Sequence, residues 1–584
     1  MTLKKLATTL CCFSTLALFY LWGSIPAEAI TRGIMAEAIV DALAIPRWTG
    51  EERFSDVPEN HPAFSAIETA RSYGIIYPGE RFHPDLEATR IEALYFAFKA
   101  MGWSHEASLM GKLNFEENNE IPEYMVSYLS LGKTCVPSAP QKFLTEPKGN
   151  LTDDDLKSLV DWLLQCRQSI VWDEIFHGKY TSLRIHREKI GTPPRSWAIF
   201  VKEAPDKNSA LLLQEKISLQ GLPAFIANTE CAFAVFVGPY SNYVKAWETL
   251  SAMPSEFVGN VVPYSEQGSN ALFWAAICSI DGYYPSIITA PSQGRSLASL
   301  SNIAKKAKAE GGINGGFFAS KKPIGTLLID GEPVSPSYTS RSAIGWSDKG
   351  EAFFGNGEFR IVLRKENWIA PVPLLNTMPP QNSLALFSSE AGPLARPLPQ
   401  DSQAFLLTNG HVSELNGISK AKRIVPSGSL LLAARGTGIQ VVRSLLEKGN
   451  PLSVEVEWRD PVMQKSKFAL QGGPMLLKDG ELQSKNEGFS VNLRNQKHPR
   501  TLVGSNGKKL WWVVIDGRDP WHSNGVTLME AARLADNLGI STLLNLDGGG
   551  SSELIWKDYI INSIPGGKER PLPYGIFFGS EEGE

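Results

Sequence analysis

The chain has 584 residues, 43% of them apolar and 20% charged, a globular composition that excludes a largely disordered protein. That length exceeds one ordinary core and calls for about two to four domains. A formal net charge of −4 gives no electrostatic case for nucleic acid or for an anionic membrane surface as a partner.

The chain starts with Lys4-Lys5, an apolar run from Leu6 to Trp22 and the small-residue pattern Ala27-Glu28-Ala29. This predicts a secretory signal at 1–29 and export to the periplasm or cell envelope. An uncleaved anchor is the alternative reading, because the run is near spanning length; no later stretch is long enough to cross a bilayer. With Cys11 and Cys12 lost in the signal, Cys135, Cys166, Cys231 and Cys278 remain. An oxidising compartment permits two disulfides, and nearness in sequence favours Cys135 with Cys166 and Cys231 with Cys278. There is no C-x-x-C pair for a cysteine-based zinc site.

Residues 30–103 alternate short helical patterns with turns. The ordered set Phe54-Ser55-Asp56-Val57-Pro58, His61-Pro62-Ala63-Phe64, Ile67, Gly74-Ile75, Phe82-His83-Pro84 and Thr89-Arg90-Ile91-Glu92 resembles an S-layer homology module. The resemblance implies attachment to a cell-wall polymer with Thr89 and Arg90 as contacts. Thr31-Arg32 resembles the remnant of a preceding half-module without its acidic residue. Residues 104–190 read as a helical region with one marked helix, opened by Thr152 and Asp155 and carrying Leu156, Leu159, Val160, Leu163 and Leu164 on one face. After a linker at Gly191-Thr192-Pro193-Pro194, residues 195–265 follow a βαββαβ pattern that predicts a ferredoxin-like domain. With Val237-Gly238-Pro239-Tyr240 opening its second half, it resembles a SPOR domain, which implies peptidoglycan as a partner; a packing domain without ligand is the alternative.

Residues 270–584 form the largest predicted domain, rich in glycine and strands and read as a mixed sheet, giving a multidomain α+β / α/β protein. Lysines of the stretch Leu300 to Glu310 read as a solvated face. Near the end, the apolar strand Leu510-Trp511-Trp512-Val513-Val514-Ile515 runs into Asp516-Gly517-Arg518. A helix follows, opened by the capping box Thr527 and Glu530, with Leu528, Ala531, Ala532 and Ala535 on one face and Gly539 at its end. The next strand, Leu543 to Leu546, ends in Asp547-Gly548-Gly549-Gly550-Ser551-Ser552. A crossover between parallel strands would bring Asp516 and Asp547 to one edge of the sheet. Glycines there let a ligand approach the backbone and can expose N–H groups to an anion.

The ordered motifs N-G-G-F-F at 314–318, L-I-D-G at 328–331, Q-G-G-P-M-L-L-K-D-G at 471–480, R-T at 500–501, D-G-R at 516–518, G-V-T-L-M-E at 525–530 and N-L-D-G-G-G-S-S at 545–552 resemble the phosphodiester glycosidase family. The resemblance implies hydrolysis of a sugar-1-phosphodiester; no cofactor is expected, and a hard cation such as Ca²⁺ or Mg²⁺ stays unassigned because no loop has EF-hand spacing. It also implies site positions at Asn314, Gly472, Gly473, Arg500, Thr501, Asp516, Arg518, Asn545, Asp547, Gly548, Gly549, Gly550 and Ser551. Chemistry then assigns roles. Asp547 and Asp516 are the catalytic carboxylates, with Asp547 supporting an oxocarbenium-like carbon or activating water. Arg500 and Arg518 hold phosphate through two-point guanidinium contacts, and Asn314 and Asn545 bind sugar groups. His498 and His522 read as satisfied loop histidines, with proton donation as their alternative. A non-catalytic wall-binding or exopolysaccharide-assembly protein that binds sugar phosphates is the competing function. A metal-dependent phosphodiesterase would need a His and Asp cluster, which is not expected from eight histidines in this arrangement.

Overall fold

The computed structural model describes residues 30–579 apart from 48–52, 77–78, 80, 114–120, 192, 194–195, 205, 229–232, 258, 265–269, 281–282, 291–295, 339, 393, 395, 416–424 and 448–450. The predicted signal, Cys231 and part of the 191–194 linker lie outside these residues. Among the described residues, no helix is long and apolar enough to cross a membrane. The chain divides into two compact units, one of residues 1–101 with 116–168 and one of residues 102–115 with 169–584.

The first unit is helical. Thr31 and Thr89 each cap a helix, Arg32–Ala42 and Arg90–Ala100, so both Thr-Arg pairs mark helix starts. Thr89 forms a full capping box with Glu92. Arg90 is buried, its Nη2 lying 2.8 Å from Asp155 and its Nη1 donating to the Glu146 carbonyl. Asp155 also completes the predicted box with Thr152 at the start of helix Asp153–Gln168. The Thr-Arg pair proposed for wall contact therefore fastens two helices of this unit. Arg90→Ala is expected to cost about 2 kcal/mol in denaturant unfolding, below the full penalty for a broken buried pair because Thr152 and Lys142 still hold Asp155. Cys135 and Cys166 are both buried and no disulfide joins them, which corrects the expected pairing. Cys278 is also buried, and its expected partner Cys231 lies outside the described residues.

The second unit is built on an eight-stranded sheet. Its strands are β1 (Val171–His177), β2 (Thr181–Glu188), β3 (Leu272–Ser279), β4 (Met475–Lys478), β5 (Glu481–Leu482), β6 (Arg500–Ser505), β7 (Leu510–Ile515) and β8 (Thr542–Asn545), in the order β1-β2-β3-β7-β6-β8-β4-β5. Every pairing is antiparallel, so the main sheet is not the mixed sheet expected; the parallel pair among the described strands joins Leu374–Leu375 to Leu384–Ser388 elsewhere. Two further departures concern boundaries. Residues 171–188, expected to be helical, form the β1–β2 hairpin, and helix Ser104–Leu113 belongs to this unit. In β2 the alternate positions Thr181, Leu183, Ile185 and Arg187 face inward and are fully buried. An arginine at a core-facing position had broken the apolar alternation that marks a strand.

Between β2 and β3 sits the predicted βαββαβ module. Its four strands order as Ala224–Asn228, Phe233–Tyr240, Ser196–Ala204 and Asn260–Tyr264, all antiparallel. Helices Lys207–Ser218 and Tyr243–Ala252 join them, over a core of Ile199, Val201, Ala210, Ile217, Val235 and Val237.

Strand Leu510–Ile515 appears where the sequence placed it. The following helix, Leu528–Asn537, has its capping box, with Thr527 and Glu530 bonding each other's backbone N–H at 2.8 and 3.1 Å. Its small residues Ala531, Ala532 and Ala535 lie buried with Leu502, Val513, Ile515 and Leu543. Because β6 lies between β7 and β8 and runs against both, β7 and β8 point the same way without being neighbours. Asp516, Asp547 and the start of β6 thus share one end of the sheet. Helix Leu300–Ala307 buries Leu300, Ile303, Ala304 and Ala307 and leaves Lys305 and Lys306 exposed, the solvated face expected.

Candidate active site

Asp547 follows the C-terminal end of β8 and is buried. Burial pushes its carboxyl up to about 6, against the Arg570 guanidinium and a hydrogen bond from Ser551, while the Glu203 carboxylate adds to the rise. Arg570 donates to Ser551 Oγ at 2.9 Å, and its Nη1 stands 3.8 Å from Glu203 Oε2. Glu203 Oε1 is 3.1 Å from Arg518 Nη1. One carboxylate thus spans two guanidiniums beside the glycine turn. A Cβ on Gly550 would lie 2.5 Å from Glu203 Oε2, so this close approach requires the glycine.

Behind the turn, Asn314 is fully buried and works in both directions. Its amide donates to the Asp547 carbonyl at 2.9 Å, and its Oδ1 accepts from Thr501 Oγ1 at 2.8 Å and Glu553 N at 3.1 Å. Gly315 and Gly316 leave room for Tyr574, whose hydroxyl accepts from Gly316 N. Gly473 N donates to the Asn545 carbonyl at 2.7 Å and Asn545 Nδ2 to the Gly473 carbonyl at 2.8 Å, while Gly472 N reaches Ser342 O. These residues fix the floor of the site and place Asp547. The turn itself is less open to an anion than expected, since the N–H groups of Gly549, Ser551 and Ser552 bond to Pro499, Gly548 and Gly549 carbonyls.

Arg500, expected to hold phosphate, directs its guanidinium at backbone carbonyls. It is buried and donates to the carbonyls of Val526, Leu493 and Gln496, tying together the loops beneath the site. The second cation beside the turn is Arg570, three residues after Gly566-Gly567, a glycine pair that follows no apolar strand and was not singled out in the sequence.

Asp516, following β7, is buried and accepts at Oδ2 from His522 Nε2 at 2.7 Å and from Ser563 N at 2.7 Å. On its other face His522 Nδ1 lies 3.0 Å from Glu106, and Glu106 lies 2.8 Å from Arg187 Nε. Burial opposes the charge on His522, but Glu106 and Asp516 raise it to about 9. Burial opposes the charge on Glu106 too, yet His522 and Arg187 bring its carboxyl down to about 2. The result is a buried chain of alternating charge, Arg187, Glu106, His522, Asp516. His498 differs: burial first, then Arg518 and Arg500, hold it down at about 3 and keep it neutral. His105, Asp516 and His522 offer ligand atoms within 4.8 Å of one another, a cluster not expected from their spacing in sequence. A cation there would compete with the His522–Asp516 ion pair.

Among the buried polar atoms at this edge without a hydrogen-bond partner are Asp516 Oδ1, Arg518 Nη2 and Asn545 Oδ1. Orphaned buried groups are costly, and these three belong to residues at or just beyond the ends of β7 and β8. Glu553, at the end of the turn, is pushed well above the carboxylate range by burial and then by Glu569.

Residues 402–579 match the phosphodiester glycosidase family. The match takes in Gly472 through Ser551 and Arg570, and leaves Asn314 and strands β1 to β3 outside. Residues 53–94 match the S-layer homology domain. No curated protein matches the chain. Among solved structures, a Burkholderia pseudomallei protein is 15% identical, covering 70% of this chain and 96% of its own, at a TM-score of 0.45. A hypothetical protein from Synechocystis is 17% identical over 70% of this chain and 79% of its own, at 0.42. The catalytic domain of zebrafish N-acetylglucosamine-1-phosphodiester alpha-N-acetylglucosaminidase is 12% identical over 54% of this chain and 79% of its own, at 0.31. The chain thus joins an S-layer homology domain, a module whose family binds cell-wall polymer, to a phosphodiester glycosidase-like domain.

Proposed function

We propose that the protein is an exported cell-envelope hydrolase that cleaves the glycosyl C1–O bond of a sugar-1-phosphodiester in a glycan or wall polymer. The observation that carries this reading is Asp547, a buried carboxyl raised to about 6, beside Ser551 and a pair of guanidiniums, Arg518 and Arg570. Breaking the C1–O bond builds positive charge on the sugar while a phosphate monoester leaves. That leaving group has a second pKa of about 6, so its protonation matters less than for an alkoxide. In this reading the Asp547 carboxylate supports the cationic carbon or activates water, and Arg518 and Arg570 grip the phosphate oxygens. Asp516 orients a sugar hydroxyl through its open Oδ1, held in place by His522. Asn545 Oδ1 accepts from the sugar.

The S-layer homology domain and the inserted module, read as a ferredoxin-like SPOR-type glycan binder, would hold the enzyme near wall polymer and raise its local substrate concentration. The test is turnover of a glycosyl phosphodiester by the purified chain in ¹⁸O-labelled water. Label in the released sugar is the expected result. Label in the phosphate would mean P–O cleavage, and no turnover across several sugar phosphodiesters would leave a sugar-phosphate-binding protein.

A further inference from the structure

The phosphate position in this site is already filled by a group from another part of the chain. Glu203 lies on strand Ser196–Ala204 of the inserted module, not on the sheet that carries Asp547. Its carboxylate nevertheless stands 3.1 Å from Arg518 and 3.8 Å from Arg570, against the Cα of Gly550. A carboxylate offers a guanidinium the same two-oxygen face as a phosphate does. Further contacts hold the module over this rim. Phe200 packs on Gly566, where a Cβ would lie 1.9 Å from its ring; Asn260 donates to the Gly566 carbonyl; and Trp197 meets Trp521 with ring centroids 6.4 Å apart. All of these fall on the loops at 518–522 and 564–570 that also supply Arg518 and Arg570.

We propose that Glu203 is an intramolecular competitor for the phosphate site, so that the inserted module holds the enzyme closed until a substrate phosphate displaces this carboxylate. The geometry explains why a carboxylate carried by the inserted module is set between Arg518 and Arg570. It also explains Arg518 Nη2, a donor left over when one carboxylate faces a clamp suited to a phosphate with more oxygens. Nothing covalent changes: the substrate exchanges one anion for another at the two guanidiniums.

The inference rests on reading Arg518 and Arg570 as the phosphate clamp, and the experiment separates the two. Inorganic phosphate and glucose 1-phosphate are titrated calorimetrically into the wild-type chain, Glu203→Gln and Glu203→Asp. Glu203→Gln keeps the shape and removes the charge, and is expected to bind both probes at least about ten-fold tighter. Glu203→Asp keeps the charge on a shorter arm and is expected to fall between, about two- to four-fold tighter than wild type; it decides the matter alone if the glutamine variant fails to fold. Phosphate binding to wild type that is unchanged or weakened in these variants overturns the competitor and leaves the clamp standing. Absence of binding in all three chains overturns both.

Discussion

Asp547→Asn is expected to leave the chain folded and more stable while lowering turnover of a sugar-1-phosphodiester by about 10³-fold or more. Both effects come from the same burial. In the folded chain the carboxyl titrates at about 6 in place of its ordinary 3.8, so the folded state binds the proton more tightly than the unfolded state does. Stability therefore falls as pH rises from about 3.8 to 6, and above that window the buried charge costs up to about 3 kcal/mol. The asparagine variant escapes this cost, so thermal melts should show it ahead of wild type at pH 7 and level with it in acid. For wild type, if the carboxylate form does the work, kcat/KM falls about ten-fold per pH unit below 6. Asp547→Asn melting below wild type at pH 7, or turning over at the wild-type rate, would remove Asp547 from the role given to it.

Glu106→Gln should be the most damaging change away from Asp547, at about 3–5 kcal/mol in denaturant unfolding. Glu106 is buried between Arg187 and His522, and removing its charge leaves both cations without their common partner. The pH dependence has a definite sign. His522 is raised from 6.5 to about 9, so its contribution is complete below 6.5 and is lost as pH rises through 9. Glu106 is lowered from 4.5 to about 2, so its contribution is complete above 4.5 and is lost as pH falls through 2. The network is therefore fully stabilising between pH 4.5 and 6.5, where the variant should differ most from wild type. Pairing it with Arg187→Met should recover part of the loss, because the second change removes an uncompensated charge. A loss below about 1 kcal/mol in the single variant would show that the chain of charges is not coupled.

The parts of this molecule legible in sequence are those set by local rules. Leu510–Ile515 is a run of β-formers closed by an Asp-Gly turn, and Thr527 with Glu530 states a helix start in four residues. A strand-helix-strand crossover places Asp516 and Asp547 at one sheet end, although the strand between them, β6, is not foreseen by it. What stayed hidden depends on segments that meet only in the fold. Arg500 and Arg570 are equally basic in sequence; only the fold shows Arg500 surrounded by carbonyls and Arg570 beside Ser551 and Glu203. Glu106 and Arg187 had one available signal, the charged residue at an inward position of an otherwise apolar alternation in β2.

The position of β3 in the sheet bears on how the protein is made. Glu188 of β2 pairs with Leu272 of β3, so the hairpin edge of the sheet is complete early in synthesis. The other side of β3 waits for Leu510–Ile515, which emerges only after residues 280 to 509 have followed. Until then a mostly buried apolar strand, Leu272–Ser279, has an open edge of unpaired backbone groups, the arrangement most prone to join another chain. A nascent chain stalled before residue 510 would be an aggregation hazard, and a holding chaperone that covers β3 during synthesis would protect the protein at its most exposed moment.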